Sequence, residues 1–428
     1  MNIIEQGRQF VQSLHELANR TVWDWRRCPR CGSTLTHKHG RYTRRVWFLD
    51  GRRKVRVQRH WCQECRHCYS EQSALLVRRS WYGRDVHRCA MDHWQHVGSS
   101  LRRTAEWVRS WAGRQERWKL WRPLEERRRR GSCRLSASTV QRWLDGAGRR
   151  AQASLKGQLA GVASSGQMGS DGLWARLRGG GKRVVLAVVD SVSGVVWPPV
   201  VASGEESEEG WRQLFERAKA AGLELQGLFG VTSDGCQGLL AYLRGGLQWV
   251  SQQRCVWHLW RGLARELGQR ASQAAQGLVG EAAQAAREQA RRELVALMHG
   301  VLDATSYLQA EAILAQLSAH ALGLGLGQAL WDQLDAALVH LLPYNRGLLR
   351  VAPEWYWRDF RLRLSHGRNH GSADRLERAA LVWAIYRNLT PAQWRSERKR
   401  HYRHPGLSPL AVAGAFPGDI SYLDALGV

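Results

Sequence analysis

The chain contains 428 residues and carries a formal net charge of +27, with an isoelectric point near 10.7. A chain of this length can form about two to four domains and bury a sizeable core. It has no run of about 18 uninterrupted apolar residues, and its first residues lack the layout of a signal peptide. These features exclude a membrane-spanning protein, and we expect a cytoplasmic, nucleoid-associated protein with no membrane partner.

Basic residues are concentrated in the first third of the chain. Residues 1–150 contain 34 Lys and Arg against 13 Asp and Glu, a net of +21, so the other 278 residues carry only +6. A surface of this kind binds nucleic acid because it releases condensed counterions. Codon bias in a GC-rich genome would explain the preference for Arg over Lys, but not the uneven placement. We expect a DNA-binding arm that precedes a nearly neutral body.

The N-terminal region predicts a short amphipathic helix within residues 1–25 and a zinc ribbon over residues 26–75. Nine cysteines without an export signal are more typical of metal ligands or buried thiols than of disulfides. Two CxxC pairs flank a hairpin signal at Asp50-Gly51. The tight turn within each CxxC pair brings two thiolates together, and the two pairs can complete a tetrahedral site for one structural Zn²⁺. The predicted ligands are Cys28, Cys31, Cys62 and Cys65, and the residues that could replace one thiolate are Cys68, His60 and His67.

The same hairpin carries a basic run that suits contact with a phosphate backbone. The residues expected to contact DNA there are Arg44, Arg45, Arg52, Arg53, Lys54 and Arg56.

Residues 80–150 predict a helix-turn-helix DNA-binding region. Its first helix covers residues 101–108, and a recognition helix covers residues 136–144, with Ser136 or Ser138 as its N-cap. A long basic insertion at residues 118–130 replaces the usual turn. A plain helical linker domain is the alternative. The side chains expected to face the major groove are Ser138, Thr139, Gln141 and Arg142.

After a predicted linker at residues 151–166, the pattern changes to strands that alternate with helices. Residues 167–258 predict three strands, a helix, a strand, a helix and a fifth strand. The third strand is predicted over residues 195–201, where Pro198 and Pro199 push it toward a sheet edge. This order is that of a ribonuclease-H-like fold. Residues 259–365 predict an all-helical insertion, and residues 366–428 return to the core with a helix at 378–388 and a basic tail.

The predicted fold is therefore an α/β ribonuclease-H-like core interrupted by an all-α insertion and preceded by a zinc ribbon and a helix-turn-helix region. Asp171 lies on its first strand and Asp234 at the end of its fourth. Such a pair suits two Mg²⁺ or Mn²⁺ ions, which prefer oxygen ligands and support in-line phosphoryl transfer. A third acid is expected on the helix after the insertion, where Glu377 is the candidate. The rivals of Glu377 are Asp374 and Glu354. Asp190 is another strand-end acid, although the residues after it resemble a hairpin turn, and each acid could also be an ordinary turn or surface residue.

Residues 169–388 resemble the catalytic domain of DDE transposases, in particular the Mutator-like group of bacterial insertion sequences. In that group a C/D-x-x-H signature stands at the fifth strand, ahead of a helical insertion and the Glu. Cys255-Val-Trp-His258 matches that signature. The resemblance implies that Asp171, Asp234 and Glu377 bind two Mg²⁺ (or Mn²⁺) ions. For Cys255 and His258, a structural role at the fifth strand and a catalytic role are both open.

The resemblance also implies an activity, which is a hydrolytic nick that frees a 3′-OH end followed by strand transfer to target DNA. The implied partners are double-stranded terminal inverted repeats and target DNA, bound by a homodimer or larger oligomer. A stand-alone ribonuclease-H-like nuclease or resolvase would use the same acids without needing two DNA-binding modules. A domesticated, non-catalytic DNA-binding protein would keep the modules and lose the chemistry.

Overall fold

The computed structural model describes residues 26–71, 75–117, 133–322, 360–361, 370–391, 406–415 and 420–428. The helix predicted within residues 1–25, the insertion at 118–130 and Glu354 lie outside these residues. The chain divides into two compact units, one formed by Met1–Ala147 with Leu423–Val428 and the other by Gly148–Tyr422. Among the described residues, no helix combines the length and apolar character needed to cross a bilayer.

The first unit contains a three-stranded antiparallel sheet. Its strands are β1 (Thr36–Phe48), β2 (Gly51–Cys62) and β3 (Cys68–Ser70), in the order β1-β2-β3. The predicted turn joins β1 to β2, and Gly51 has a φ of 122°, a value that favours glycine. On one side of this sheet a small core forms from Val46, Phe48, Val57 and Leu76.

Three helices follow along the chain, and the third of them continues past Ala147 into the second unit. They are α1 (Arg84–Val97), α2 (Leu101–Arg117) and α3 (Ala137–Leu159). The rings of His87 on α1 and Trp143 on α3 stack with their centroids 3.6 Å apart, which holds these two helices together.

The linker predicted at residues 151–166 is wrong for most of its length. Helix α3 continues to Leu159, and Ala151, Leu155 and Leu159 are all buried. These three residues recur at helical spacing, so the apolar face of α3 continues through a stretch whose small residues had indicated a linker.

The second unit is built around a five-stranded mixed sheet. Its strands are β4 (Gln167–Arg176), β5 (Lys182–Asp190), β6 (Val200–Ala202), β7 (Gly230–Ser233) and β8 (Ser251–Arg254), in the spatial order β6-β5-β4-β7-β8. The first three strands pair antiparallel, whereas β7 runs parallel to both β4 and β8. All five predicted strands of this region are present.

The third strand is much shorter than the 195–201 predicted. Only Val200–Ala202 pairs continuously with β5, at the edge of the sheet, and Val196 forms an isolated bridge to Val189. Pro198 and Pro199 have no N–H to donate to a ladder, which explains why pairing starts only after them.

Two helices connect the later strands of the sheet. Helix α4 (Glu208–Ala220) begins at the N-cap Ser207, whose side chain accepts a hydrogen bond from the Gly210 N–H, and α5 (Gln237–Gly246) lies between β7 and β8. Helix α4 packs on the sheet through buried Trp211, Leu214 and Phe215.

Beyond β8 the described chain is helical. Helices α6 (Val256–Gln273), α7 (Gly280–Leu302) and α8 (Tyr307–Leu322) share a core that includes Leu267, Leu294 and Met298. They fall in the first part of the predicted helical insertion.

The late helix α9 (Ala373–Leu389) starts five residues earlier than predicted, because Ser372 caps it by accepting a hydrogen bond from the Arg375 N–H. Most of α9 is buried. Two short helices follow, α10 (Pro409–Val412) and α11 (Tyr422–Ala425).

Candidate active site and metal centres

The sheet of the second unit brings three potential metal ligands together. Asp171 projects from the middle of β4, Asp234 follows the last residue of β7, and His258 lies in the first turn of α6, just after β8. The ligand atoms of these three side chains all lie within 4.8 Å of one another. Because β4, β7 and β8 are neighbours that run in the same direction, their register places the middle of β4 beside the carboxyl ends of β7 and β8.

Each aspartate accepts a hydrogen bond from a backbone N–H that follows it closely in the sequence. Asp171 is only 3% exposed, and one of its oxygens, Oδ1, accepts the Gly172 N–H at 2.9 Å. Oδ1 of Asp234 accepts the Cys236 N–H at 3.0 Å. Gly235 has a φ of 84°, and a Cβ at this position would lie 1.6 Å from Nη1 of Arg254. The positive φ therefore favours glycine in the turn after Asp234, where the guanidinium of Arg254 lies against the backbone.

The two residues of the predicted Cys-x-x-His signature occupy different environments. Cys255 is 1% exposed and serves as the N-cap residue of α6, and its backbone N–H donates to the Ser233 carbonyl at 2.7 Å. His258, one turn later, reaches the two aspartates. Cys255 therefore joins the backbone at the ends of β7 and β8, whereas the His258 side chain belongs to the group of potential metal ligands.

Glu377 is not part of this cluster among the described residues. Its carboxylate forms an ion pair with Arg217 on α4, with Oε1 and Nη1 2.5 Å apart, and Arg217 also donates to the Pro199 carbonyl at 2.9 Å. A cation within direct reach explains why the carboxylate faces α4. The structure thus brings Asp171 and Asp234 together but does not bring Glu377 to them.

The rival acids have other partners. Asp190 is buried, and its carboxylate accepts hydrogen bonds from the N–H groups of Ser165, Val192 and Ser193, which makes it the organiser of a turn. Asp374 is exposed and pairs with Arg378 one turn later on α9.

Glu206 is a further acid beside the cluster, and nothing in the sequence distinguishes it from its acidic neighbours. It immediately precedes the N-cap of α4, and its Oε1 accepts the indole N–H of Trp174 at 3.0 Å. Burial, followed by the charge of Asp234, raises the pKa of Glu206, while His258 acts in the opposite direction. In the sequence, Glu206 belongs to an acidic run, Glu205 to Glu209, that reads as ordinary charge at a helix start.

The four cysteines predicted to bind zinc form the second cluster. Their sulfur atoms all lie within 4.8 Å of one another, and the pairs Cys28–Cys65 and Cys31–Cys62 are 3.5 Å apart. Zinc–sulfur bonds of about 2.3 Å in a tetrahedron place sulfurs about 3.8 Å apart, so the donor set fits Zn²⁺. The grouping of the four ligands is confirmed, and zinc binding stays a prediction.

The backbone of this cluster explains its closeness. The residue after the second cysteine of each pair has a positive φ, 75° at Gly32 and 51° at Arg66, so both chains turn sharply around the sulfurs. Although burial raises the pKa of the Cys28 thiol, hydrogen bonds from the backbone of Arg30 and Cys31 bring it to about 7, whereas burial raises the pKa of the neighbouring Cys65 thiol to about 12.

The alternative zinc ligands lie outside this group. Cys68 accepts a hydrogen bond from Nη2 of Arg59 at 3.1 Å. His60 is buried and its ring stacks on Tyr69 at 5.4 Å, and burial lowers its pKa. His67 is likewise not among the grouped ligands.

A basic groove of about 1120 Å³ lies beside the β1–β2 hairpin. Trp81 stands at its wall with 71% of its surface exposed. The arginines that line the groove are Arg30, Arg44, Arg45, Arg52, Arg78 and Arg79.

Two of the arginines predicted to contact DNA already have protein partners. Arg44 donates to the carbonyls of Val77 and Ser80, which fixes the loop that carries Trp81. Arg53 pairs with Asp50 in the hairpin turn. The other four predicted residues of the hairpin are exposed, and they are Arg45, Arg52, Lys54 and Arg56.

On α3, the predicted DNA-facing side chains divide into exposed and buried ones. Ser138 and Arg142 are exposed, and Thr139 is half-buried. The N-cap is Ser136, whose Oγ accepts the Thr139 N–H at 3.2 Å. Gln141 is only 8% exposed and donates to Oδ1 of Asp145 at 3.0 Å, so in this structure it belongs to the interior of the unit and not to a DNA-facing surface.

Comparison with known proteins bears on the stretch that contains Glu206, Asp234 and His258. No curated protein matches the chain. Residues 199–324, which include these three side chains, match the model of the family described as "Transposase, Mutator family", and this match supports a Mutator-like transposase.

Proposed function

We propose that the chain is a DDE-type DNA transposase that binds the terminal repeats of its insertion sequence, cleaves to free 3′-OH ends and joins them to target DNA. The observation that carries this proposal is the meeting of Asp171, Asp234 and His258 at one edge of the sheet. Asp234 and His258 lie in the region that matches a transposase family. The order of three strands, helix, strand, helix and strand supports a ribonuclease-H-like core.

The cluster suits divalent metal ions. Two carboxylates offer the hard oxygen ligands that Mg²⁺ and Mn²⁺ prefer, and an imidazole nitrogen is compatible with Mn²⁺. When bound, such ions stabilise the negative charge that develops on the attacking and leaving oxygens. Asp171 and Asp234 would hold them, whereas the carboxylate of Glu377, the third acid expected from the sequence, is paired with Arg217.

The proposed reaction has two phosphoryl transfers. In the first, water attacks the phosphodiester at the end of the element, the P–O3′ bond breaks, and the leaving 3′ oxygen takes up a proton. In the second, this 3′-OH attacks a target phosphodiester, which forms one P–O bond and breaks another. The number of phosphodiester bonds is unchanged in the second step, so it needs no external energy source.

The first unit is proposed to position the DNA. Its four-cysteine cluster would hold one structural Zn²⁺, and its basic groove and the exposed face of α3 would contact the duplex. Phosphate contacts from arginines fix the register of a protein on DNA. Joining two ends of one element requires two active sites, so we propose that a homodimer or larger oligomer assembles on DNA.

Strand transfer separates this function from its alternatives. The full-length protein would be incubated with Mg²⁺, labelled duplexes from the inverted repeats that flank its gene, and a supercoiled target plasmid. We expect repeat-specific nicks and labelled joined products, both lost in Asp171→Asn and Asp234→Asn. Cleavage without joining would favour a stand-alone nuclease or resolvase. Specific binding without cleavage would favour a domesticated DNA-binding protein.

A further inference from the structure

We propose that Glu206, which lies beside the Asp171–Asp234–His258 cluster but outside its 4.8 Å group of ligand atoms, supplies a third carboxylate when a divalent metal binds there. This inference rests on the proposed function, since it concerns the same site. It differs from the sequence-based assignment of Glu377, which lies on a helix far along the chain and is paired with Arg217.

The position of Glu206 is set by its neighbours on β4. A Cβ added to Gly172, the residue after Asp171, would lie 2.6 Å from the carboxyl carbon of Glu206. The Glu206 carboxylate therefore lies against the backbone of β4 at the residue that follows Asp171. Trp174, two residues further along the same strand, holds Oε1 through its indole N–H.

The backbone of Glu206 is equally constrained from the other side. A Cβ at Gly238, near the start of α5, would lie 1.9 Å from the Glu206 carbonyl oxygen, and the Cys236 thiol donates to that oxygen at 3.4 Å. The turn after Asp234 thus packs on Glu206. Residues that flank both aspartates hold this glutamate in place, so its location does not depend on a flexible loop.

One carboxylate oxygen of Glu206 is left for a ligand. Oε2 is buried and has no hydrogen-bond partner of normal geometry among the described residues, although the weakly polar Cys236 thiol interacts with the carboxylate. A buried carboxylate oxygen beside a second carboxylate is unfavourable without a cation, because like charges repel most strongly where water is excluded. A divalent ion held by Asp234 would relieve this repulsion.

Metal binding by the full-length, zinc-loaded protein tests the proposal directly. Mn²⁺ would be titrated and its free concentration followed by electron paramagnetic resonance. We expect Glu206→Gln to weaken Mn²⁺ binding by about tenfold or more. Its matched control is Glu205→Gln, which removes the same charge from the exposed neighbouring position and should leave binding unchanged.

A structural role for Glu206 would have a different signature. Gln keeps an oxygen that can accept the Trp174 N–H and removes a charge beside Asp234, so metal-free Glu206→Gln should unfold at a temperature no lower than the unmutated protein. Trp174→Phe, which keeps the ring and removes the donor, should also weaken Mn²⁺ binding, though by less than Glu206→Gln.

The outcomes distinguish this inference from the proposed function. If Asp171→Asn and Asp234→Asn abolish Mn²⁺ binding while Glu206→Gln binds normally, the inference is overturned and the metal site stands. If Glu377→Gln weakens binding and Glu206→Gln does not, Glu377 is the third acid. If neither aspartate variant affects Mn²⁺ binding, the proposed metal site itself is wrong.

Discussion

The backbone N–H of Cys255 donates to the carbonyl of Ser233 at 2.7 Å, and this bond joins the ends of β7 and β8 where the active-site cluster begins. Asp234 follows one partner and α6 follows the other, so a main-chain contact sets the separation between Asp234 and His258.

Because this contact uses the backbone, the Cys255 side chain should be replaceable. We expect Cys255→Ala to lose about 1 kcal/mol of unfolding free energy, typical of a buried substitution, and to keep Mn²⁺ binding. His258→Ala should instead weaken Mn²⁺ binding by about tenfold with little effect on stability. Urea unfolding and metal titration of the two variants provide the measurements, and equal losses of metal binding would show that Cys255 acts in the site as well.

The four-cysteine cluster predicts one zinc per chain. Cys62→Ser should remove the zinc and unfold the β1–β3 module, since metal-binding energy is folding energy in modules of this size. The matched control is Cys68→Ser, because the Cys68 sulfur accepts a bond from Arg59 and lies outside the cluster. Zinc content by elemental analysis would decide, and a normal content in Cys62→Ser would contradict the assignment.

The exposed arginines of the hairpin predict a salt-dependent contribution to DNA affinity. Replacing Arg45 and Arg52 together by Gln should lower the slope of log K against log salt by about 2, because each phosphate contact contributes about 0.9. Arg53→Gln serves as the control, since Asp50 already neutralises that guanidinium. Binding isotherms at several salt concentrations would measure the slopes. An unchanged slope in the double variant would exclude this face as a phosphate-binding surface.

Burial of Gln141 predicts an effect on stability and not on DNA readout. Gln141→Leu removes a buried bond to Asp145 and should cost about 1–3 kcal/mol of unfolding free energy. Arg142→Gln, at the next and exposed position, should change stability by less than about 0.5 kcal/mol and weaken DNA binding. Thermal unfolding and DNA binding of both variants would be compared. Loss of sequence preference in a fully folded Gln141→Leu would contradict its interior role.

We expect the stability of the first unit to depend on pH because of Asp85. Burial raises its pKa, although the carboxylate accepts the N–H groups of Leu49 and Val86 and lies near Arg53. The folded state therefore holds this proton more tightly than the unfolded state. The resulting stability is fully present below about pH 4, the unfolded value, and is lost as the pH rises through the folded pKa.

Asp85→Asn should remove this part of the pH dependence. The amide oxygen can still accept one of the two N–H groups, and an uncharged side chain avoids the cost of a buried carboxylate. Urea unfolding of the variant and the unmutated protein at a series of acidic pH values would show whether the fall in stability becomes shallower. Parallel curves would mean that other groups are responsible.

The features that the sequence predicts well depend on local spacing. The CxxC pairs, the Asp50-Gly51 turn and the apolar run of β5 are each encoded within a few residues, and all are present in the structure. Asp171 and Asp234 converge because the parallel pairing of β4 with β7 places the middle of β4 beside the end of β7.

The features that the sequence misses depend on contacts between distant residues. The partner of Glu377 is Arg217, 160 positions earlier, and the residues around Glu377 give no signal of this contact. Glu206 gains its place from Gly172 and Trp174 on another strand, while its own neighbours resemble a helix start. Gln141 points inward because its face of α3 packs within the first unit. Helical periodicity alone does not predict whether the face that carries Gln141 is buried.

Asn388, near the end of α9, accepts the Val196 N–H at 2.7 Å and donates to the Val196 carbonyl at 2.9 Å, across 192 positions of sequence. One side chain thus takes the place of a neighbouring strand for a segment in which two prolines prevent regular pairing. During translation Val196 is synthesised well before Asn388. Its N–H and carbonyl groups would therefore stay bonded to water until α9 has been made. The sheet reaches its final state only once translation has passed residue 388, so we expect fragments that end before α9 to be degraded or to aggregate.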